Sequence, residues 1–296
     1  MQVFLTGATG FIGAAIIEEL KGAGHQVTGL ARSDEAAARL AGWNVDVRRG
    51  EVADTGVLAE AARASDGVIH CAFGHDFSQY MQMGEIDLAA VSAMAEALAG
   101  TDKPFVVTSG MTGHVSGRAS TEADPADLAG PTVVRGRPEN AALAASENGV
   151  RSMVVRLPPS VHDIDAQGLA TMLIARARES GFSAYVADGA NRWPTVHRRD
   201  AARLFRLGLE GGQAGARLHA VGEEGVRLVA IAKAIGERLG VPTKSITPDE
   251  AFAHFGWLAA VIANDVPATA AVTRESLGWR PTHPGLVEGL LGDYAV

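Results

Sequence analysis

Apolar positions along the first 160 residues follow two alternating rhythms. Short runs rich in β-branched residues give way to stretches whose apolar positions recur every third or fourth residue. Val3-Phe4-Leu5 opens the series. Runs at Gln26–Ala31, 44–49, 67–71, 104–109 and Arg151–Leu157 predict five further strands. The intervening stretches at 34–41, 54–64, 84–99 and 137–148 predict helices. Strand–helix alternation of this kind builds an α/β protein with a doubly wound parallel sheet, helices on both faces. Beyond residue 160 the rhythm breaks. A helix at 166–180, a short strand at Ser183–Val186, a Gly-Ala-Asn-Arg-Trp-Pro loop, a helix at 199–210, a strand near 217–220 and a helix at 226–239 are expected. An irregular helical tail punctuated by prolines follows. The expectation is a main domain over 1–160 and a smaller substrate lobe over 161–296, with some elements returning to the main sheet.

The first strand runs into Thr6-Gly-Ala-Thr-Gly-Phe-Ile-Gly13, and Ile16, Ile17 and Leu20 then continue at helical spacing. A strand turning through glycines into a helix aims free backbone N–H groups and the positive end of the helix dipole at one point. That arrangement suits a pyrophosphate, and so a dinucleotide. Composition narrows the partners. A net charge of −8 without any block of like charge argues against nucleic acid or an anionic membrane. The single cysteine, Cys71, excludes an internal disulfide and suits a reducing compartment. No apolar run approaches a membrane span, and a strand beginning at residue 2 leaves no room for a leader. The expected setting is the cytoplasm, as a monomer or homodimer with a small-molecule substrate.

The glycine turn resembles the TGxxGxxG fingerprint of extended short-chain dehydrogenases/reductases, the epimerase/dehydratase type, which are Rossmann proteins. The likeness continues through Val68-Ile-His-Cys-Ala72, Phe105-Val-Val-Thr-Ser109 and Val154-Val-Arg-Leu-Pro-Pro-Ser-Val-His162. Val196-His-Arg-Arg-Asp-Ala-Ala202 resembles the family's HVxD substrate-lobe signature. The resemblance implies cofactor contacts from Gly7, Thr9, Gly10, Phe11 and Ile12, and from Cys71, Ala72 and Phe73 after strand four. Thr108 on strand five and Leu157 and Pro158 after strand six complete them. Glu51 and Val52 resemble the acidic–aliphatic pair lining the adenine pocket. Where an NAD enzyme carries a carboxylate at the end of strand two, this chain has Arg32 and Ser33. A guanidinium there pairs with a 2′-phosphate, so NADP is expected over NAD.

One departure matters more than these matches. Family members usually carry Tyr-x-x-x-Lys, whose tyrosine moves a proton as hydride moves. The three tyrosines here, Tyr80, Tyr185 and Tyr294, have no lysine four residues on, and no lysine lies between Lys103 and Lys233. Counting back from Glu139 places Pro131 at the tyrosine position and Arg135 at the lysine position, where Arg135 can still bond the nicotinamide ribose. The resemblance is therefore to atypical members.

Ser109, His114 and His162 are candidates for the chemistry, since histidine titrates near neutrality and the loops beyond neighbouring strands converge on the nicotinamide. His75, Tyr80, Thr112, Arg192, Trp193 and His197 are expected around the substrate. Asp163 and Asp165 match no standard metal spacing, and no metal is expected. Three functions remain open: an NADP-dependent reductase or dehydrogenase with a non-standard proton donor, an NADP(H)-binding sensor without turnover, and a non-redox isomerase or lyase.

Overall fold

The computed structural model describes residues 1–74, 79–111, 115–165 and 168–295, the side chain of Pro131 excepted. The Rossmann half runs β1 (Gln2–Thr6), α1 (Phe11–Gly22), β2 (Gln26–Ala31), α2 (Asp34–Gly42), β3 (Asp46–Arg49), α3 (Thr55–Ala64), β4 (Gly67–His70), α4 (Tyr80–Leu98), β5 (Pro104–Gly110), α5 (Val133–Ala144) and β6 (Arg151–Leu157). Then come β7 (Ser160–His162), α6 (Leu169–Ser180), β8 (Ser183–Val186), β9 (Arg192–His197), α7 (Arg198–Gly211), β10 (Ala216–His219), β11 (Glu223–Arg227) and α8 (Leu228–Leu239). The chain closes with β12 (Thr243–Ile246), α9 (Pro248–Phe255), α10 (Leu258–Ile262), α11 (Ala271–Leu277) and α12 (Leu286–Leu291). None of these helices is long and apolar enough to cross a membrane.

Seven strands form one parallel sheet in the order β10-β6-β5-β4-β1-β2-β3. Its central strands are covered on both faces, so they read as unbroken apolar runs; Val3, Phe4 and Leu5 are all fully buried. Strand order reverses between β1 and β4, and the register sets Thr6 beside His70 there. Ligands of doubly wound sheets bind at the carboxyl ends flanking such a reversal. β10 and α7 belong to this body although they follow residue 160. β10 pairs with β6; α7 buries Leu204, Phe205 and Leu209 in the core shared with β1 and α1.

Most of the remaining elements make a smaller lobe with its own core around Leu173, Ile174, Trp193, Ile231 and Leu286, while α11 packs against β10 and α7 of the main body. Its three-stranded sheet runs β11-β9-β7, and a second pair joins β8 to β12. The expected loop through Arg192-Trp193-Pro194 is instead the central strand β9. Proline in a central strand removes a ladder donor. Here the β9–β11 register slips between Glu223 and Val226, opposite Thr195 and Trp193, so a bulge faces Pro194. β11 likewise occupies the start of the helix expected at 226.

α5 begins at Val133, earlier than the expected 137, although Pro138 is a residue suited to a helix's first turn. Pro138 instead lies inside the helix, and the extra turn ahead of it carries Arg135.

Candidate active site

The site starts from the β1–α1 turn. Gly7 has φ +68°, and a Cβ there would stand 2.8 Å from the backbone of Cys71 and Ala72, so β4's exit passes directly against the turn. Thr6 Oγ1 ties the two together by accepting the N–H groups of Cys71 and Ala72, each at 3.2 Å. α1 then opens on Gly10, with no side-chain cap and no acidic residue in its first turn. Its first N–H groups have no intrahelical partner. Gly10 is exposed, while Thr9, Phe11 and Ile12 are half-buried around it.

Behind the turn lies a chain of buried polar groups. His70 Nδ1 meets Thr6 Oγ1 at 2.7 Å, and His70 Nε2 meets Asp87 Oδ1 at 2.9 Å. Arg135 Nη1 donates to Asp87 Oδ2 at 2.8 Å, and Nη2 donates to the Thr108 carbonyl at 2.5 Å. A carboxylate paired with Arg135 only accepts, so we assign Nε2–H as the donor to Asp87; Nδ1 then accepts the Thr6 hydroxyl proton. His70 and Asp87 are 1% and 2% exposed, and a buried charge in such a place needs its partner. Gly84 makes the pairing reachable. A Cβ there would lie 2.7 Å from the Val134 side chain, so α4 and α5 approach closely one turn before Asp87 and one residue before Arg135. The guanidinium also lies over the Phe73 ring, 4.1 Å from its centroid. Arg135 thus stands beside the end of β5, its charge balanced by a carboxylate from α4.

At the end of β5, Ser109 is buried, and its Oγ has no hydrogen-bond partner among the described residues. Such a group calls for a partner. The Cys71 thiol is pushed up by burial, against the pull of the Thr108 hydroxyl and the Arg135 charge. It is a packed neutral thiol. Leu157 is half-buried and Pro158 buried beyond β6.

At the other end of the crevice, Ser33 caps α2 by accepting the Ala36 N–H at 3.2 Å. Arg32 is exposed and has no ion pair among the described residues. The β2–β3 register pairs Ala31 with Arg49, and Arg49 bonds the Ser33 carbonyl and the Asp34 carboxylate. Two guanidinium groups therefore stand where Arg32 alone was expected. Glu51 is exposed and Val52 half-buried beside them.

The structure corrects several expected roles. His162 lies on β7, 1% exposed, its Nδ1 2.8 Å from the Tyr294 hydroxyl. Burial, reinforced by His197, pushes its pKa down to about 3. A histidine so sealed and so reluctant to take a proton is no general acid at neutral pH; it is a packing residue of the small lobe. Trp193 is fully buried in that lobe's core, not available to stack on a substrate. Arg192 points to Asp265 in a two-armed salt bridge, bonds of 3.0 and 2.8 Å. His197 caps α7 by accepting the Arg199 N–H at 3.2 Å and stacks on His283 at 4.4 Å. Asp200 accepts the N–H groups of Thr282 and His283, which braces the C-terminal segment. His197, Asp200 and His283 bring ligand-type atoms within 4.8 Å of one another, but capping and bracing already use them. His75, Thr112 and His114 lie outside the described residues. Tyr80 is half-buried at the start of α4, its ring edge-on to Phe73 with centroids 5.9 Å apart.

A dinucleotide fits what is present: an uncapped helix end behind a glycine turn, an exposed arginine at the β2 edge, and a buried hydroxyl without a partner at the end of β5. A doubly wound sheet with this cradle at its reversal point, extended by a small lobe, defines an extended short-chain dehydrogenase/reductase. The chain belongs to the NAD dependent epimerase/dehydratase family, which it matches over residues 3–221.

It is 43% identical over 298 residues to "Uncharacterized protein YLL056C" of Saccharomyces cerevisiae, covering 100% of both chains. It is 29% identical over 228 residues to 2-alkyl-3-oxoalkanoate reductase of Stenotrophomonas maltophilia, covering 73% of this chain and 67% of that one. Among solved structures, the dTDP-glucose 4,6-dehydratase DesIV of Streptomyces venezuelae, with NAD bound, superposes with a TM-score of 0.76. That alignment covers 98% of this chain and 95% of that chain at 20% identity, a likeness of fold.

Proposed function

We propose that the chain is an NADP(H)-dependent reductase of small organic carbonyl compounds. The observation that carries the cofactor half is the pair of arginines at the β2–β3 edge. Arg32 is exposed with no ion pair among the described residues, and Arg49 stands one strand away. A guanidinium pairs with a phosphate dianion in two-armed fashion, and the carboxylate two residues on, Asp34, is already held by Arg49. The α1 N–H groups hold the pyrophosphate, and Arg135 lies where the family's lysine meets the nicotinamide ribose. When bound, the reduced nicotinamide supplies hydride. Ser109 Oγ, buried without a partner at the end of β5, is placed to orient a carbonyl oxygen. The 29% identical relative named a reductase supports the carbonyl reading.

Titrating NADPH and NADH against the parent and Arg32→Ala tests the cofactor half. A charge-assisted contact of ~1.5–3 kcal/mol corresponds to roughly ten- to a hundredfold in affinity. NADPH should lose that factor in the variant while NADH stays nearly unchanged. Equal affinities in the parent would refute the preference. Screening NADPH consumption against carbonyl compounds tests the reaction; tight NADPH binding with no turnover would favour a sensor.

A further inference from the structure

Carbonyl reduction needs a proton for the substrate oxygen, and the family's tyrosine position holds Pro131. We propose that Tyr80, on the first turn of α4, supplies that proton; this rests on the reductase reading above.

Elimination and placement both support it. The chain has three tyrosines. Tyr294 is bonded to His162 inside the small lobe, and Tyr185 lies on β8, paired with β12. Tyr80 alone stands at the crevice. Its ring meets Phe73 edge-on at 5.9 Å, and Phe73 carries the Arg135 guanidinium 4.1 Å above its face. Arg135 in turn is fastened to the Thr108 carbonyl at the end of β5. One short stack therefore joins the phenol to the strand ends where a doubly wound sheet binds its ligand.

Two fixed charges act on the phenolate that proton donation leaves. Arg135, held over the Phe73 ring, favours the phenolate, and its partner Asp87 opposes it. Tyr80 is also the first residue of a 19-residue helix whose N-cap, Gln79, provides no side-chain cap. The positive end of that helix dipole favours negative charge there. Burial is the larger influence on the resting group and pushes the phenol above its ordinary value, with Arg135 pulling back and Asp87 pushing further. The hydroxyl is thus protonated throughout the neutral range, the state a donor requires. In the reduction the C=O π bond is replaced by an O–H bond to the Tyr80 proton and a C–H bond to hydride from the reduced nicotinamide. Solvent then returns a proton to the phenolate.

Tyr80→Phe keeps the ring and its edge contact with Phe73, so the variant should fold with unchanged NADPH affinity. Its kcat should fall by ~10²–10⁴, the usual contribution of a positioned acid, with little change in KM. A second readout needs no turnover: nitration of Tyr80 in the parent by tetranitromethane, quantified by mass spectrometry with and without NADP⁺. Cofactor should slow it several-fold while nitration of Tyr185 continues unaltered. Full kcat in a Tyr80→Phe protein that still binds NADPH would overturn the proposal and leave the reductase reading standing. If the parent turns over no carbonyl compound, the reductase reading fails; nitration indifferent to NADP⁺ would then separately remove Tyr80 from the site.

Discussion

Replacing Asp87 by Asn isolates one quantity, the charge that balances Arg135. The amide keeps the carboxylate's shape. His70 can answer the new N–H₂ by exchanging tautomers and accepting at Nε2, which keeps the bond to residue 87 while the charge is lost; its Nδ1–H then competes with the Cys71 and Ala72 N–H groups for Thr6 Oγ1. Asp87 is 2% exposed and 2.8 Å from Arg135, itself 13% exposed. Two unit charges about 4 Å apart interact by ~4 kcal/mol at an effective dielectric near 20. Removing one partner of a fully buried pair costs ~3–5 kcal/mol. The Thr108 carbonyl and Phe73 ring still serve the stranded guanidinium and water reaches its edge, so the lower end, ~2–3 kcal/mol, is expected. At about 2 °C per kcal/mol for a chain of this size, Tm should fall by roughly 5 °C. A urea-unfolding cycle through Asp87→Asn, Arg135→Met and the double variant is the assay. The double variant should be more stable than the sum of the single losses predicts, with a coupling of ~1.5–3 kcal/mol. A coupling below ~0.5 kcal/mol would refute the buried pair as the element that sets Arg135 in place.

His162, with a folded pKa of about 3 against an ordinary 6.5, contributes stability that is full above pH 6.5 and lost as pH falls from there toward 3. At pH 4.5 its share of that loss is on the order of 2–3 kcal/mol. In urea unfolding at pH 7 and 4.5, His162→Asn should lower stability at pH 7 and flatten the acid limb; an unchanged limb would count against the sealed neutral imidazole. Gly10→Val should abolish NADPH binding in a protein that still folds. A Cβ there meets only the Gly7 carbonyl, at 3.2 Å, but occupies the ligand's side of the turn. Isothermal titration beside thermal unfolding checks it, and retained binding would move the anchor elsewhere.

Much of the fold was legible because it depends on residues close in sequence. The β1–α1 turn is local: its glycines, the apolar run before and the helical spacing after lie within one short segment. Strands β2 and β6 are bounded as their apolar runs imply, since a strand covered on both faces is mostly apolar; in β6 the buried Arg156 is balanced by Glu139. Arg135 at the lysine position, and the absence of Tyr-x-x-x-Lys, required only counting. What misled was equally local. Gly and Pro around Trp193 signal a loop to any reading of neighbours, and His162, just beyond strand six, reads as a loop histidine near the nicotinamide.

The roles of those two residues were set by pairings between distant segments. Trp193 became core because β9 runs between β7 and β11, with a bulge in β11 facing Pro194. His162 was silenced by burial in the small lobe, where its partner is Tyr294, 132 residues away. Arg49 came to stand beside the Arg32 segment only through the β2–β3 register, although the Arg-Arg pair ending β3 was a visible signal. The Thr6–His70–Asp87–Arg135 chain exists because strand order reverses at β1 and β4 and Gly84 lets α4 close on α5. Asp87 and Arg135 are 48 residues apart. Backbone preference and hydrophobic period are properties of a few consecutive residues, so the sequence by itself determined the cradle and the sheet that holds it. Burial, and with it the charge state and availability of a side chain, is set by whatever else packs against that side chain. Only the tertiary structure decided which histidine is sealed and which arginine is balanced.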